Sequence, residues 1–331
     1  MNLQKNNTLE LIKLFSSFMV VFIHVPFSGK LGVAVDALAR FAVPFFFFVS
    51  GYYSYRIPCE KIKKRIRNIL SLLILSTTSY TAFEIIKLLK YNREGLVAFF
   101  ERYTELKTFV ELVVFNAPVN FGHLWYLLAI FYVYIIFYFA TKLRVKEKAI
   151  FAISLSLLAL NLLLGEGLSL FGISLPTHVV RNFATTGIPF FALGLFVKKH
   201  EDKILRVPRY VIPMFLAIGA LESVISAFLF GTKELYLGSL LILGALICTF
   251  IQCNIKLPSF LTALEGCSTY IYIFHIMIST VILIIYGILG INIYASVITE
   301  SLHSVVVCVA STVFAFVLTK ILEKWRKARA K

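Results

Sequence analysis

Apolar and polar positions fall into long blocks in this chain. Ten apolar stretches lie at about Thr8 to Phe27, Gly32 to Tyr55, Ile69 to Leu89, Gly122 to Thr141, Ala149 to Leu164, Thr185 to Val197, Tyr210 to Phe230, Leu235 to Ile251, Thr269 to Leu289 and Leu302 to Leu322. A helix of about 20 apolar residues crosses about 30 Å of hydrocarbon, so the blocks predict an all-α polytopic membrane bundle of about ten transmembrane helices. Pro44 should kink the second helix, because a proline ring collides with the carbonyl four residues back. Asn7 followed by Glu10 suits a capping box at the start of the first. Arg56 to Arg67 is expected to be a basic loop. Lys90 to Phe121, too long for a tight turn, is expected to hold a short helix lying at the surface. No internal repeat and no soluble domain is visible, so residues 1–331 read as one transmembrane domain. The first stretch resembles a signal peptide only superficially. Glu10 and Lys13 interrupt its start and no small-residue cleavage site follows Phe27, which points to a retained helix.

That first stretch also carries polar groups where hydrocarbon tolerates few. At 100° per residue, Lys13 and His24 lie within about 20° of one face and about 16 Å apart along the axis. Glu10, Ser17 and Val20 fall on the same side. An ionisable group in a bilayer costs several kcal/mol unless it faces protein or a wet cavity, so a stripe of them predicts a cavity. The ninth stretch repeats the pattern: Ser268, Tyr272, His275 and Ser279 share one helical face.

Composition sharpens the class. The 331 residues are 59% hydrophobic with a formal charge of +16, and the mean hydropathy is +0.86. Such a basic balance can signal nucleic acid. Here the cations sit in short segments between apolar blocks, which is a topology signal instead. With ten spans, twenty-three lysines and arginines fall on the N-terminal side and seven on the other: Lys30, Lys90, Arg93, Arg102, Lys107, Arg181 and Lys233. Both termini are therefore expected in the cytoplasm, in a multi-pass plasma-membrane protein. Cys59, Cys248, Cys253, Cys267 and Cys308 form no C-x-x-C pair, and neither a metal nor a disulfide is implied.

The ordered motifs resemble a known family. Lys13, ten residues, then His24 is similar to the Arg-x10-His signature of the acyltransferase-3 membrane acyltransferases, with Glu10 where that family usually has Asp. FFFFVSGYY (Phe45 to Tyr53) resembles its FF-x-x-SG-Y segment. HLWYL (His123 to Leu127), FFALGLF (Phe190 to Phe196) and STYIYIFH (Ser268 to His275) resemble later segments in the expected order. Lys13 is a departure: lysine keeps the charge of the usual arginine but loses its bidentate fork. The resemblance implies transfer of an acyl group, acetyl foremost, from cytoplasmic acyl-CoA to a hydroxyl of an extracytoplasmic or cell-surface glycan. Acyl-CoA would be a substrate, with no permanently bound cofactor. The implied partners are membrane lipid, acyl-CoA and a glycan or lipid-linked saccharide, with no nucleic acid.

On that reading His24, Lys13 and Glu10 are the catalytic candidates. An imidazole can take a hydroxyl proton near neutral pH; a histidine bonded to a carbonyl at the interface is the alternative. Arg65, Arg67, His275 and Tyr272 are candidates on the donor side, since paired arginines suit the phosphates of coenzyme A, although any cytoplasmic juxtamembrane segment is basic. Arg40, expected to pair with Asp36, joins Asn120, His123, Trp125 and Arg181 on the acceptor side; a Trp at that level also serves as an interface anchor. Ser50-Gly51 lacks the G-x-S-x-G pattern and suits close helix approach better than nucleophilic chemistry. Phe45 to Phe48 reads as a packing or lipid face. Two other classes stay open: a transporter or flippase of a lipid-linked sugar using the same polar path, and an inactive membrane interaction protein. The charge asymmetry makes the topology testable. Single cysteines at Lys63 and Lys327 should react with a cytoplasmic thiol reagent, and single cysteines at Arg102 and Lys233 only with one applied outside; labelling of Lys63 and Arg102 from one side would break the ten-span arrangement.

Overall fold

The computed structural model describes residues 6–329; Lys5 and Lys331, counted in the charge asymmetry, lie outside the described residues. The chain is 80% helical, and among the described residues there is no strand and nine helical stretches, some made of consecutive shorter helices, are long and apolar enough to span a membrane. A tenth apolar helix, Leu237–Gln252, has 16 residues. The elements are α1 (Asn7–His24), α2 (Gly29–Ala39), α3 (Ala42–Tyr52), α4 (Cys59–Tyr91), α5 (Gly95–Glu101), α6 (Leu106–Phe115), α7 (Trp125–Lys142), α8 (Glu147–Leu162), α9 (Thr177–Val180), α10 (Ile188–Lys199), α11 (Glu201–Leu205), α12 (Val211–Phe230), α13 (Leu237–Gln252), α14 (Ser259–Ala263), α15 (Ser268–Ile288) and α16 (Val297–Arg329).

Four features differ from the sequence reading. The cap of α1 is Asn6, not Asn7: the Asn6 side chain accepts from the backbone N–H of Leu9 at 2.9 Å. The second span is two helices, broken around Arg40 and Phe41; Arg40 is the residue whose carbonyl the Pro44 ring would strike, so the proline acts as a break and not a kink. Most of the supposed basic loop from Arg56 to Arg67 is helical, because α4 begins at Cys59 and runs for 33 residues. Charged side chains are good helix formers outside hydrocarbon, so α4 continues past its apolar part. The segment Lys90 to Phe121 holds two short helices, α5 and α6.

Cα packing separates two compact units, residues 1–45 with 201–331, and residues 46–200, the boundary falling within α3. In the first unit α1 packs on α2, α15 and α16, and α12 packs on α13 and α2. Its core is built from Leu14, Val21, Val25, Ile271, Val307 and Ala315. In the second unit α4 packs on α7, and α10 packs on α8. There α3 and α10 touch backbone to backbone: a Cβ on Gly51 would collide with the carbonyl of Phe191, and one on Gly194 with the carbonyl of Phe48. Small residues at Ser50-Gly51 thus serve close approach. Phe45, Phe47 and Phe48 are wholly buried, so most of the phenylalanine run packs inside the protein.

Candidate active site

The first unit carries the stripe. α1 runs unbroken from Asn7 to His24, which keeps Lys13 and His24 on one face about 16 Å apart. Its start is tied to the end of α13 and the following loop: the Asn6 amide donates to the carbonyl of Phe250 at 2.7 Å, and the Thr8 hydroxyl accepts from the N–H of Ile255 at 3.0 Å. Lys13 Nζ sits 2.8 Å and 3.0 Å from the two carboxylate oxygens of Glu10. Both side chains are about three-quarters buried, at 24% and 21% exposure. Glu10 lines a notch of about 10 Å³, room for about one water.

His24 ends α1, half-buried, with its ring 5.2 Å from that of His275 and inclined by 38°. His275 is completely buried on α15. Its Nδ1 lies 2.7 Å from the carbonyl oxygen of Tyr272 and 3.2 Å from that of Ile271. A carbonyl can only accept, so Nδ1 carries the proton and Nε2 is the basic nitrogen of the neutral ring. Ser268, Tyr272 and Ser279 are buried with it. One turn further, Ser279 Oγ is 3.4 Å from Nε2 of buried His303 on α16. The sequence reading missed His303, although an imidazole inside the last apolar stretch was the signal for it.

Arg40 lies at the α2–α3 break. Its guanidinium donates to Asp36 at 2.7, 2.8 and 3.1 Å and to Glu234 at 2.9 Å. The expected Asp36 pair is there; Glu234, from the α12–α13 loop, was not foreseen. Two carboxylates take up the arginine's charge and most of its donors.

The second unit holds the remaining candidates. Arg65, on α4, closes the C-terminal end of α3. It donates to the carbonyl of Tyr53 at 2.8 Å, to the Ser54 hydroxyl at 2.7 Å and to the Tyr134 hydroxyl at 3.0 Å. The last carbonyls of a helix have no partner within it, and a cation there also meets the negative end of the helix dipole. Arg67 is exposed. Trp125 is buried, unlike an interface anchor, with the Arg181 guanidinium 4.9 Å from its ring centroid. His123 is buried against Tyr80, their rings 4.6 Å apart. Asn120 instead bonds Arg102 and the carbonyl of Phe99.

Buried Asn116, overlooked in the sequence, is bound into the Trp125 region. Its side chain accepts from the N–H of Phe183 at 2.6 Å and donates to the carbonyl of Trp125 at 3.3 Å. Asn161 was overlooked too; it donates to the carbonyl of Val180 at 2.8 Å.

A profile of the acyltransferase-3 family, described as an acyltransferase domain, matches residues 6–320. The chain belongs to this family. It is a membrane acyltransferase, and the profile runs through both compact units. Neither a curated protein nor a solved structure matches it. Within this acyltransferase the first unit brings His24 and His275 ring to ring, and joins Lys13 to Glu10. The second joins Arg181 to Trp125.

The Arg40 cluster gives a stability prediction. Arg40→Ala leaves two largely buried carboxylates without their cation, a loss of about 3–5 kcal/mol. Adding Asp36→Asn and Glu234→Gln to it should restore at least half of that. Thermal melts of the purified variants measure both, and an Arg40→Ala protein melting like wild type would show the cluster to be idle.

Proposed function

We propose that this acyltransferase moves an acyl group, acetyl foremost, from acyl-CoA to a hydroxyl of a cell-surface glycan, with His24 as general base. The pairing of His24 with His275 is the observation that carries the reading. The Nδ1–H of His275 is held by a backbone carbonyl, which makes Nε2 the basic nitrogen of the ring that stands beside His24. A second imidazole with a defined tautomer is an unusual thing to bury in an apolar helix without a task.

In the reaction His24 takes the proton of the acceptor hydroxyl as the oxygen attacks the thioester carbonyl. The C–O bond forms, the C–S bond breaks, and the departing thiolate takes the proton back from the imidazolium. His275 and Tyr272 orient the donor and hold the His24 ring. Lys13, neutralised by Glu10 at the far end of the same helix face, meets the donor's polar end. Arg67 is the exposed donor-side cation; Arg65 supports that side by fixing the end of α3. In the second unit, Arg181 over the buried Trp125 ring, together with His123, is the candidate group for acceptor recognition. The charge asymmetry supports a cytoplasmic donor and an outer acceptor.

The test is transfer of label from radiolabelled acetyl-CoA into envelope glycan by membranes bearing the protein. General base catalysis contributes roughly 10²–10⁴-fold. His24→Ala and His24→Gln should reach normal membrane levels yet lose at least about a hundredfold in transfer, with a smaller loss for His275→Ala. Lys13→Arg should keep activity, because it restores the family's usual residue. Transfer near the wild-type rate by well-expressed His24→Ala would falsify the assignment.

A further inference from the structure

The second unit contains a cavity that the acyl-transfer residues do not use. Between α7, α8 and α10 lies a space of about 330 Å³, above the lower bound of about 300 Å³ for small-molecule sites. A second space of about 240 Å³ adjoins it and shares Phe137, Ala140, Val145, Ile150 and Leu195 as walls. Apart from the charged end the lining is apolar. On α7 and α8 the walls include Ile136 and Ile153, which are 41% and 55% exposed, so the space opens sideways on the face that hydrocarbon would cover.

The charged end is built from four side chains. Arg56, Arg144 and Lys199 line it together with Glu147, which is ion-paired to Lys199. That leaves two cations of the lining without a carboxylate, Arg144 and Arg56, the latter with its guanidinium 5.1 Å from the centroid of the Tyr55 ring. Both have left-handed backbones, at φ 53° and 52°. Apart from glycine, the other described residues in that conformation are Asn116 and Asn120, and asparagine favours it whereas arginine does not. A turn made twice by arginine where asparagine or glycine is easier indicates that the guanidinium matters at both positions.

We propose that this cavity binds an anionic phospholipid of the surrounding leaflet, with its phosphate between Arg56 and Arg144 and one acyl chain along the α7–α8–α10 space. Guanidinium groups match phosphate oxygens in pairs, and a sideways opening admits a chain directly from the bilayer. Two guanidinium groups can each take one of the two free oxygens of a single phosphodiester. A coenzyme A nucleotide brings several phosphates and a base, for which this mouth offers too few partners. The inference is independent of the acyl-transfer reading.

Full-length protein purified in mild detergent, incubated with an equimolar mixture of phosphatidylglycerol and phosphatidylcholine and weighed by native mass spectrometry, tests this. Each arginine near a phosphate favours the anionic lipid by about fivefold, so wild type should retain phosphatidylglycerol by at least that ratio. Arg56→Asn with Arg144→Asn, which keeps residues at ease with the left-handed turns, should bring the two lipids to parity at an unchanged melting temperature. Ala140→Trp, filling the cavity, should release both lipids. Equal retention of the two lipids by wild type, or undiminished preference in the asparagine pair, overturns the proposal. So does displacement of phosphatidylglycerol by an equal concentration of palmitoyl-CoA, which would reassign the cavity to a nucleotide donor.

Discussion

A charge that hydrocarbon cannot solvate must be met by protein, and in each unit one arginine states that constraint most plainly. Arg40 needs Asp36 from α2 and Glu234 from the loop between α12 and α13. The helix break at its position frees backbone that only protein can satisfy. The same corner holds Lys233 on Ser226 and the Glu222 carboxylate on the N–H of Gly238, so α2, α12 and α13 are set by polar contacts as much as by apolar packing. Arg65 does the equivalent for α3 by closing its last carbonyls and gripping Tyr134 of α7. Both arginines came into view as ligand-binding candidates. Their geometry gives each of them a structural partner set first.

This division of labour clarifies the catalytic reading. In a bilayer-embedded enzyme most buried polar groups hold helices together, and chemistry falls to those whose arrangement packing does not explain. Asn116 and Asn161 bond backbone carbonyls or N–H groups and belong to the first kind. His275 also bonds backbone carbonyls, but those of its own helix, so its contact with the His24 ring is not accounted for by joining helices through the backbone.

The sequence was most informative where hydropathy alone decides. The ten apolar stretches reappear as helical segments, the second of them split into α2 and α3, and the family is legible from motifs spread from Glu10 to His275. It was least informative where a partner is remote. Glu234 lies 194 positions from Arg40, and no periodicity within α2 points to it. The helical start of α4 was hidden because charge density was read as loop, although a helix leaving the bilayer has no reason to stop at its surface. Asn116 was hidden inside a segment already discounted as polar and external. His303 was visible but had no stated partner until α15 and α16 were seen together.

The lengths of the helices carry one more implication. α4 and α16 each have 33 residues, about 50 Å of rod, longer than the hydrocarbon is thick, so their charged ends can lie outside it. α13 has 16 residues, about 24 Å, less than the usual hydrocarbon thickness of about 30 Å. Lipid beside α13 must therefore thin, or its flanking polar groups must reach outward. Hydrophobic mismatch at α13 favours thin, disordered lipid over thick, ordered lipid beside that helix.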